Sequence, residues 1–177
     1  MRILVAAALL TAGISGQSAA AMTPGQASCP VQLAPKTLGP ALVQEMLTYK
    51  EGQPGNPETA KALSTVVDVC IKREKVASEQ EDAYTKYVIA RVSHDELARQ
   101  FGTMTIPTAV LDRVFGLGPG LANPTPDQIT EDQFNVLVSE LTKAGVKIDT
   151  LPKVTMTMMG SYVAVTGEMY RDMAAVR

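Results

Sequence analysis

The strongest constraint on the fold is the spacing of apolar residues at the C-terminal end of the chain. They recur at steps of four, four, three, four, four and three residues: Val154, Met158, Tyr162, Val165, Met169, Met173 and Val176. This spacing places them on one face of an α-helix of about six turns. The segment 153–166 also fits a β-hairpin turning at Gly160–Ser161, because its Val and Thr residues favour strands. The unbroken spacing favours the helix, and the hairpin is the alternative.

Helical patterns also account for most of the chain before this segment. Asn56 and Pro57 have the residue types that begin a helix, and Thr130 with Gln133 forms a capping box. We therefore predict an all-α protein, an irregular bundle of about five to six helices in a single domain over 40–177. The C-terminal hairpin would change the class to α+β. The proline-containing segment 22–39 is predicted to be an extended leader.

The N-terminal residues 1–21 have the layout of a secretory signal peptide. Arg2 is followed by an apolar run from Ile3 to Ile14 and then by small residues up to Ala21. The apolar run is shorter than the roughly 18 residues that span a bilayer. We therefore predict an exported protein, periplasmic or secreted, with no transmembrane segment in the mature chain.

The charge distribution excludes some partners. The net charge is −2, and the basic run Lys72–Lys75 is soon followed by acidic residues. Alternation of this kind is typical of a solvated helix face and not of a nucleic-acid surface. No cofactor motif is present, so we expect no cofactor, and the partner is an unidentified protein or small molecule.

The two cysteines, Cys29 and Cys70, predict a disulfide. An exported chain with two cysteines has an oxidising environment and no unpaired thiol. Cys70 lies on the apolar side of the helix that begins near Pro57, so a bridge would tie the leader to that helix. The cysteines are 41 positions apart, which excludes a Cys-x-x-Cys redox motif.

The stretch "ELARQFGTMTIPTAVL" resembles the third helix, cis-proline turn and fourth strand of the thioredoxin family. The resemblance implies a turn at Thr105, Ile106, Pro107 and Thr108, with Pro107 as the cis-proline facing a redox-active cysteine pair. The chain departs from the family because Cys-x-x-Cys is absent. The other interpretation is that Gly102 ends one helix and Pro107 opens the next.

The segment Ser93–Glu96 contains a serine, the single histidine and two acids in succession. Successive residues point in different directions, so these cannot align as a catalytic triad. We expect Ser93 to cap a helix, with Glu96 completing a capping box. No catalytic arrangement is recognisable, which favours a non-catalytic protein without excluding an enzyme.

Met156, Met158 and Met159 form a cluster with two possible roles. Thioether sulfur suits Cu(I), and methionine also fills irregular cores. The preferred function is an exported, non-catalytic helical binding or structural-interaction protein of the cell envelope. The alternative is a thioredoxin-like thiol-handling or Cu(I)-binding periplasmic protein.

Overall fold

A computed structural model describes residues 22–176, which form an all-α fold. The seven helices are α1 (Pro24–Leu33), α2 (Leu38–Thr48), α3 (Pro57–Glu74), α4 (Glu81–Thr103), α5 (Thr108–Phe115), α6 (Glu131–Lys143) and α7 (Lys153–Ala175). No strand occurs within 22–176, so the all-α prediction and the C-terminal helix are confirmed and the hairpin alternative is wrong. None of these helices combines the length and hydropathy needed to cross a membrane. The predicted signal peptide, residues 1–21, lies outside the described residues.

The prediction of an extended leader over 22–39 is wrong, because α1 occupies most of it. Thr23 caps the helix and forms a reciprocal capping box with Gln26, while Pro24 stands in the first turn. The expectation gave too much weight to Pro30, which lies inside the helix. An interior proline normally disrupts a helix because it removes one hydrogen bond to the carbonyl four residues before it.

Two buried tyrosines of α4 compensate for this proline. The missing N–H of Pro30 would have bonded to the carbonyl of Gln26, and the Tyr84 hydroxyl donates to that carbonyl at 2.9 Å. The Tyr87 hydroxyl donates to the next carbonyl, that of Ala27, also at 2.9 Å. Both rings are almost fully buried, so the carbonyl freed by the proline keeps a partner where water cannot reach it.

The predicted bridge between Cys29 and Cys70 is present. Their sulfur atoms are 2.00 Å apart, and both residues are fully buried. Cys29 lies on α1 and Cys70 on α3, at the position expected on the apolar stripe of that helix. The bridge therefore joins α1 to α3, in addition to the hydrogen bonds that join α1 to the tyrosines of α4.

The predicted helix start at Ser93 is wrong, because α4 continues through it. Helix α3 ends at Glu74 where Lys75 adopts a left-handed conformation, and α4 then runs unbroken over 23 residues. Ser93 and Glu96 are buried in the interior of this helix. Capping residues mark a helix start only if the preceding turn cannot be helical, and buried Val88 and Val92 continue the helix across this point.

The packing of α4 against α7 organises two hydrophobic clusters. One contains side chains from α2, α5, α6, the second half of α4 and the first part of α7. The other contains the disulfide with side chains from α1, the start of α2, α3, the first half of α4 and the end of α7. Helices α2, α4 and α7 contribute to both clusters, and the two long helices α4 and α7 form their common wall.

The glycine- and proline-containing loop after α5 is held more firmly than its composition indicates. Asn123 is buried, accepts a hydrogen bond from the Gly118 N–H and donates to the Gly118 carbonyl, each at 2.8 Å. The loop backbone then passes close to Gly167 of α7, where an added Cβ would lie 2.9 Å from the Pro124 carbonyl oxygen. The absence of a side chain at Gly167 thus lets the loop backbone lie close to α7.

We predict that replacing Cys29 and Cys70 together by serine lowers the free energy of unfolding by about 4 kcal/mol. The bridge closes a separation of 41 residues, and the chain-entropy model gives this magnitude for a loop of that size. Urea denaturation of the wild type and the double variant measures the difference. Alkylation of the unfolded protein without reductant should label no thiol, and two labelled thiols would contradict the bridge.

We predict that Asp172→Asn stabilises the protein above about pH 6. Burial, reinforced by Glu168, raises the pKa of Asp172 to about 6. The native state therefore holds this proton more tightly than the unfolded chain, so wild-type stability falls as the pH rises from about 4 to about 6. The variant has no carboxyl group to ionise at this position, so it does not lose stability in this way. It should be more stable than the wild type by about 1–2 kcal/mol at about pH 7.5.

The difference should shrink to nothing at about pH 3 and below, where the carboxyl of Asp172 is protonated in both the native and the unfolded state. Thermal unfolding across this range measures it. Asp68→Asn, on the exposed face of α3, is the matched control for removing one carboxylate. Equal effects of the two variants at every pH would contradict the raised pKa of Asp172.

Candidate functional site

An open groove lies between the corner joining α1 to α2 and the second half of α4. Its volume is about 560 Å³. Its walls combine apolar side chains with charges of both signs: Val31, Ala34, Pro35, Lys36, Gly39, Pro40, Val92, Asp95, Glu96 and Arg99. A second hollow of about 450 Å³ lies along α1, and Val31 borders both. The two hollows lie on either side of Val31 along α1 and α4.

Local sequence explains this shape. At Gly39 a Cβ would stand 3.0 Å from the Cβ of Glu96, so the absence of a side chain lets α2 approach α4 closely. Ala27 and Ser28 on α1 are small and leave room beside α4 in the second hollow. Val31 stands between the hollows with 50% of its surface exposed.

The charges in the groove are paired along α4. Arg99 donates two hydrogen bonds to Glu96, at 2.8 and 2.6 Å, and Gln100 donates a third at 2.7 Å. The bonds from Arg99 hold the pKa of Glu96 below its usual range. The Glu96 side chain is 7% exposed and that of Arg99 is 61% exposed. The cation, not the carboxylate, is therefore what a partner would meet.

Asp95 has two cationic or polar neighbours on the same helix. Its Oδ2 accepts from Arg91 Nε at 3.0 Å, and its Oδ1 lies 3.0 Å from His94 Nδ1. Burial alone would raise the pKa of Asp95, but the bonds from His94 and Arg91 outweigh it and hold the pKa below its usual range. Asp95 is therefore a carboxylate at the groove wall.

Behind Asp95 a chain of polar side chains crosses from α4 to α7 and α5. His94 Nε2 lies 3.4 Å from the Tyr162 hydroxyl, and their rings are 5.3 Å apart. The Tyr162 hydroxyl donates to Asp112 Oδ1 at 3.0 Å. Burial raises the pKa of Asp112, and Tyr162 and His94 oppose that rise. Burial also raises the pKa of Tyr162, so this phenol keeps its proton.

The sequence interpretation of this region was incomplete. The sequence pattern predicts a helix start at Ser93–Glu96 and therefore no functional residue there. Tyr162 falls at an apolar position in the spacing of α7, and no local pattern singles out Asp112. A single histidine beside two acids was the available signal, but its partners lie 18 and 68 positions further along the chain. Only the packing of α5 and α7 on α4 brings them together.

The thioredoxin-like turn predicted at Thr105, Ile106, Pro107 and Thr108 is a connection between two helices. No cis peptide bond occurs among residues 22–176, and Pro107 directly precedes α5. Ile106 packs in the hydrophobic cluster that does not contain the disulfide. Within residues 22–176 the turn therefore lies apart from the pair Cys29 and Cys70.

Met156, Met158 and Met159 pack into the core formed by α5, α6 and α7. Met158 and Met159 are almost fully buried, and Met156 is partly buried. Met156 and Met159 border a small apolar cleft of about 120 Å³ next to Phe134 and Gly160. This environment favours the core-filling role. Among residues 22–176, no three His, Cys, Asp or Glu side chains are placed to share a metal ion.

Comparisons of the chain with models of known protein families, with curated proteins and with solved structures found no match. The candidate site consists of an open groove with exposed cations and a partly buried chain of polar side chains that reaches the groove through Asp95.

We predict that replacing Met156, Met158 and Met159 together by leucine leaves Cu(I) retention unchanged. Leucine has nearly the same volume as methionine, so the free energy of unfolding should change by less than about 1.5 kcal/mol per residue. Competition with a Cu(I) chelator measures retention, with Met104→Leu, outside the cluster, as control. Tight one-to-one binding that is lost only in the triple variant would instead support the copper alternative.

Proposed function

We propose that this is an exported, non-catalytic protein of the cell envelope that binds a polypeptide segment of a partner protein in the groove along α1 and α4. The signal-peptide pattern of residues 1–21 supports export. The disulfide between Cys29 and Cys70 is compatible with it, because such bonds persist outside the cytosol.

The shape of the groove favours a polypeptide over a small molecule. Small ligands are usually held in enclosed cavities that bury most of their surface. Here two open hollows of about 560 and 450 Å³ meet at Val31 and follow two helices. A surface of this form matches an elongated segment that lays its apolar side chains along the groove.

The exposed charges indicate the chemistry of that segment. Glu96 is buried under its bonds to Arg99, whereas Arg99 and Lys36 are exposed at the edge. Arg91 extends the cationic edge into the second hollow. A partner segment with apolar residues flanked by carboxylates would therefore complement both the floor and the edge.

One observation carries the proposal: Val31, half exposed between the two hollows, with cations on both sides. An exposed apolar residue alone is ordinary on a protein surface. Its position between two hollows, beside the exposed cations Arg99 and Lys36, is what favours a binding role.

We predict that linear peptides selected from a random phage-displayed library bind the wild type through Val31. The selected sequences should combine apolar residues with Asp or Glu. Val31→Asp places a carboxylate at the apolar centre and should weaken binding at least about tenfold, as truncation of a central contact does. Val136→Asp, on α6, is the matched control because Val136 is also 50% exposed. Fluorescence polarisation measures the affinities.

A second pair of variants tests the charge. Arg99→Glu should weaken binding of the selected peptides, whereas Lys143→Glu, at the exposed end of α6 and likewise paired with a glutamate, should not. Circular dichroism checks that each variant is folded. Peptides that bind Val31→Asp and the wild type equally, or that carry no excess of acidic residues, would contradict the proposal.

A further inference from the structure

The apolar cleft between α5, α6 and α7 differs in character from the groove. It is bordered by Met156 and Met159, and it shares no lining residue with either hollow of the groove. None of the eight residues around it has a nitrogen or oxygen atom in its side chain. An ordered water needs two to four polar partners, so these side chains favour an apolar occupant over water.

The volume of the cleft limits the size of that occupant. An engineered protein cavity of about 150 Å³ with apolar walls binds benzene. The cleft, at about 120 Å³, therefore has room for a single ring and is too small for a long acyl chain. Phe115, Leu137 and Met159 at its walls are almost fully buried, so a ring inside it would lie against the core of the protein.

The chemistry of the walls favours an aromatic ring. Met156 and Met159 place thioether groups at the cleft, and Phe115 and Phe134 place rings there. Thioether sulfur makes favourable contacts with aromatic rings, and two aromatic rings attract each other edge to face or in an offset stack. An aliphatic ring of similar size gains neither contact, and a charged ring would lose its hydration without a polar partner.

Gly160 keeps the cleft open to solvent. It is exposed on α7 at the edge of the cleft, and a Cβ added to it would meet no heavy atom within 4 Å. Glycine is less favourable than alanine inside a helix, and neither close packing nor a left-handed backbone requires it here. A helical side chain points back over the preceding turn, so a larger residue at 160 would lie toward Met156 and cover the opening.

We propose that this cleft is a binding site for a small molecule with one uncharged aromatic ring. The ring enters past Gly160 and Phe134, which is 44% exposed, and lies against Phe115, Met156 and Met159. A polar substituent on the ring points out through the opening, because no polar side chain lines the interior. The site is separate from the groove of the proposed function, and neither depends on the other.

Methyl NMR of the methionines tests the site, with benzyl alcohol as the probe. Single replacements by leucine assign the signals of Met104, Met156 and Met159. Benzyl alcohol should shift the Met156 and Met159 signals saturably, because a bound aromatic ring changes the local magnetic field. The signal of Met104, which follows α4, should not move. Cyclohexylmethanol, the aliphatic counterpart, should bind about threefold more weakly, since it lacks the contacts between sulfur and an aromatic ring.

Glycine variants locate the binding. Gly160→Leu should weaken the binding of benzyl alcohol at least about tenfold, because the leucine side chain covers the opening. Gly160→Ala adds only a methyl group and should keep most of the affinity. Gly102→Leu is the matched control, since Gly102 also lies in a helix with open space at its Cβ. It should change the affinity by less than about twofold, as distant sites are nearly independent.

Thermal unfolding confirms that the variants fold, and each contrary result overturns a stated part. Signals of Met156 and Met159 that do not shift, or equal binding by Gly160→Leu and the wild type, would overturn the site. Equal affinity for cyclohexylmethanol would overturn the aromatic preference. N-acetylphenylalanine amide carries the same ring on a peptide backbone. If it binds more tightly than benzyl alcohol, the cleft takes a side chain of a partner protein, and the small-molecule ligand is wrong.

Discussion

The packing of α4 against α7 is the constraint on which the rest of the structure depends. Each helix has 23 residues and is about 35 Å long. Both hydrophobic clusters use these two helices as their common wall. A change that separated them would expose apolar surface in both clusters at once. The same interface also contains His94 and Tyr162, so the polar chain is held in place by the packing that surrounds it.

The attachment of α1 decides whether a groove exists. A helix of ten residues with an interior proline is too short and too interrupted to be stable alone. It persists because the disulfide joins it to α3 and because two tyrosines of α4 donate to its carbonyls. These ties hold the buried side of α1, while Ala27, Ser28 and Val31 remain open on the side that faces the groove.

The polar side chains of α4 make two different kinds of contact along the helix. Glu96 is satisfied by Arg99 and Gln100, and this pairing keeps a buried carboxylate ionised at the groove. His94, one residue before Asp95, faces inwards to α7 and has its other nitrogen on Asp95. Partly buried polar networks are costly unless every member has a partner.

The sequence by itself determined the helical class, the C-terminal helix, the caps at Asn56 and Thr130 and the pairing of the two cysteines. These follow from local rules, because residue spacing and capping act within a few residues and two cysteines allow one pairing. Only the tertiary structure decided that residues 24–33 form a helix, since the Tyr84 hydroxyl that replaces the missing proline bond comes from 54 positions after Pro30. It also decided that Ser93 lies inside a helix and that His94 meets Tyr162 and Asp112. These contacts join segments that are far apart in the sequence. They are stabilised by burying one helix against another, and a local sequence pattern contains no information about that burial.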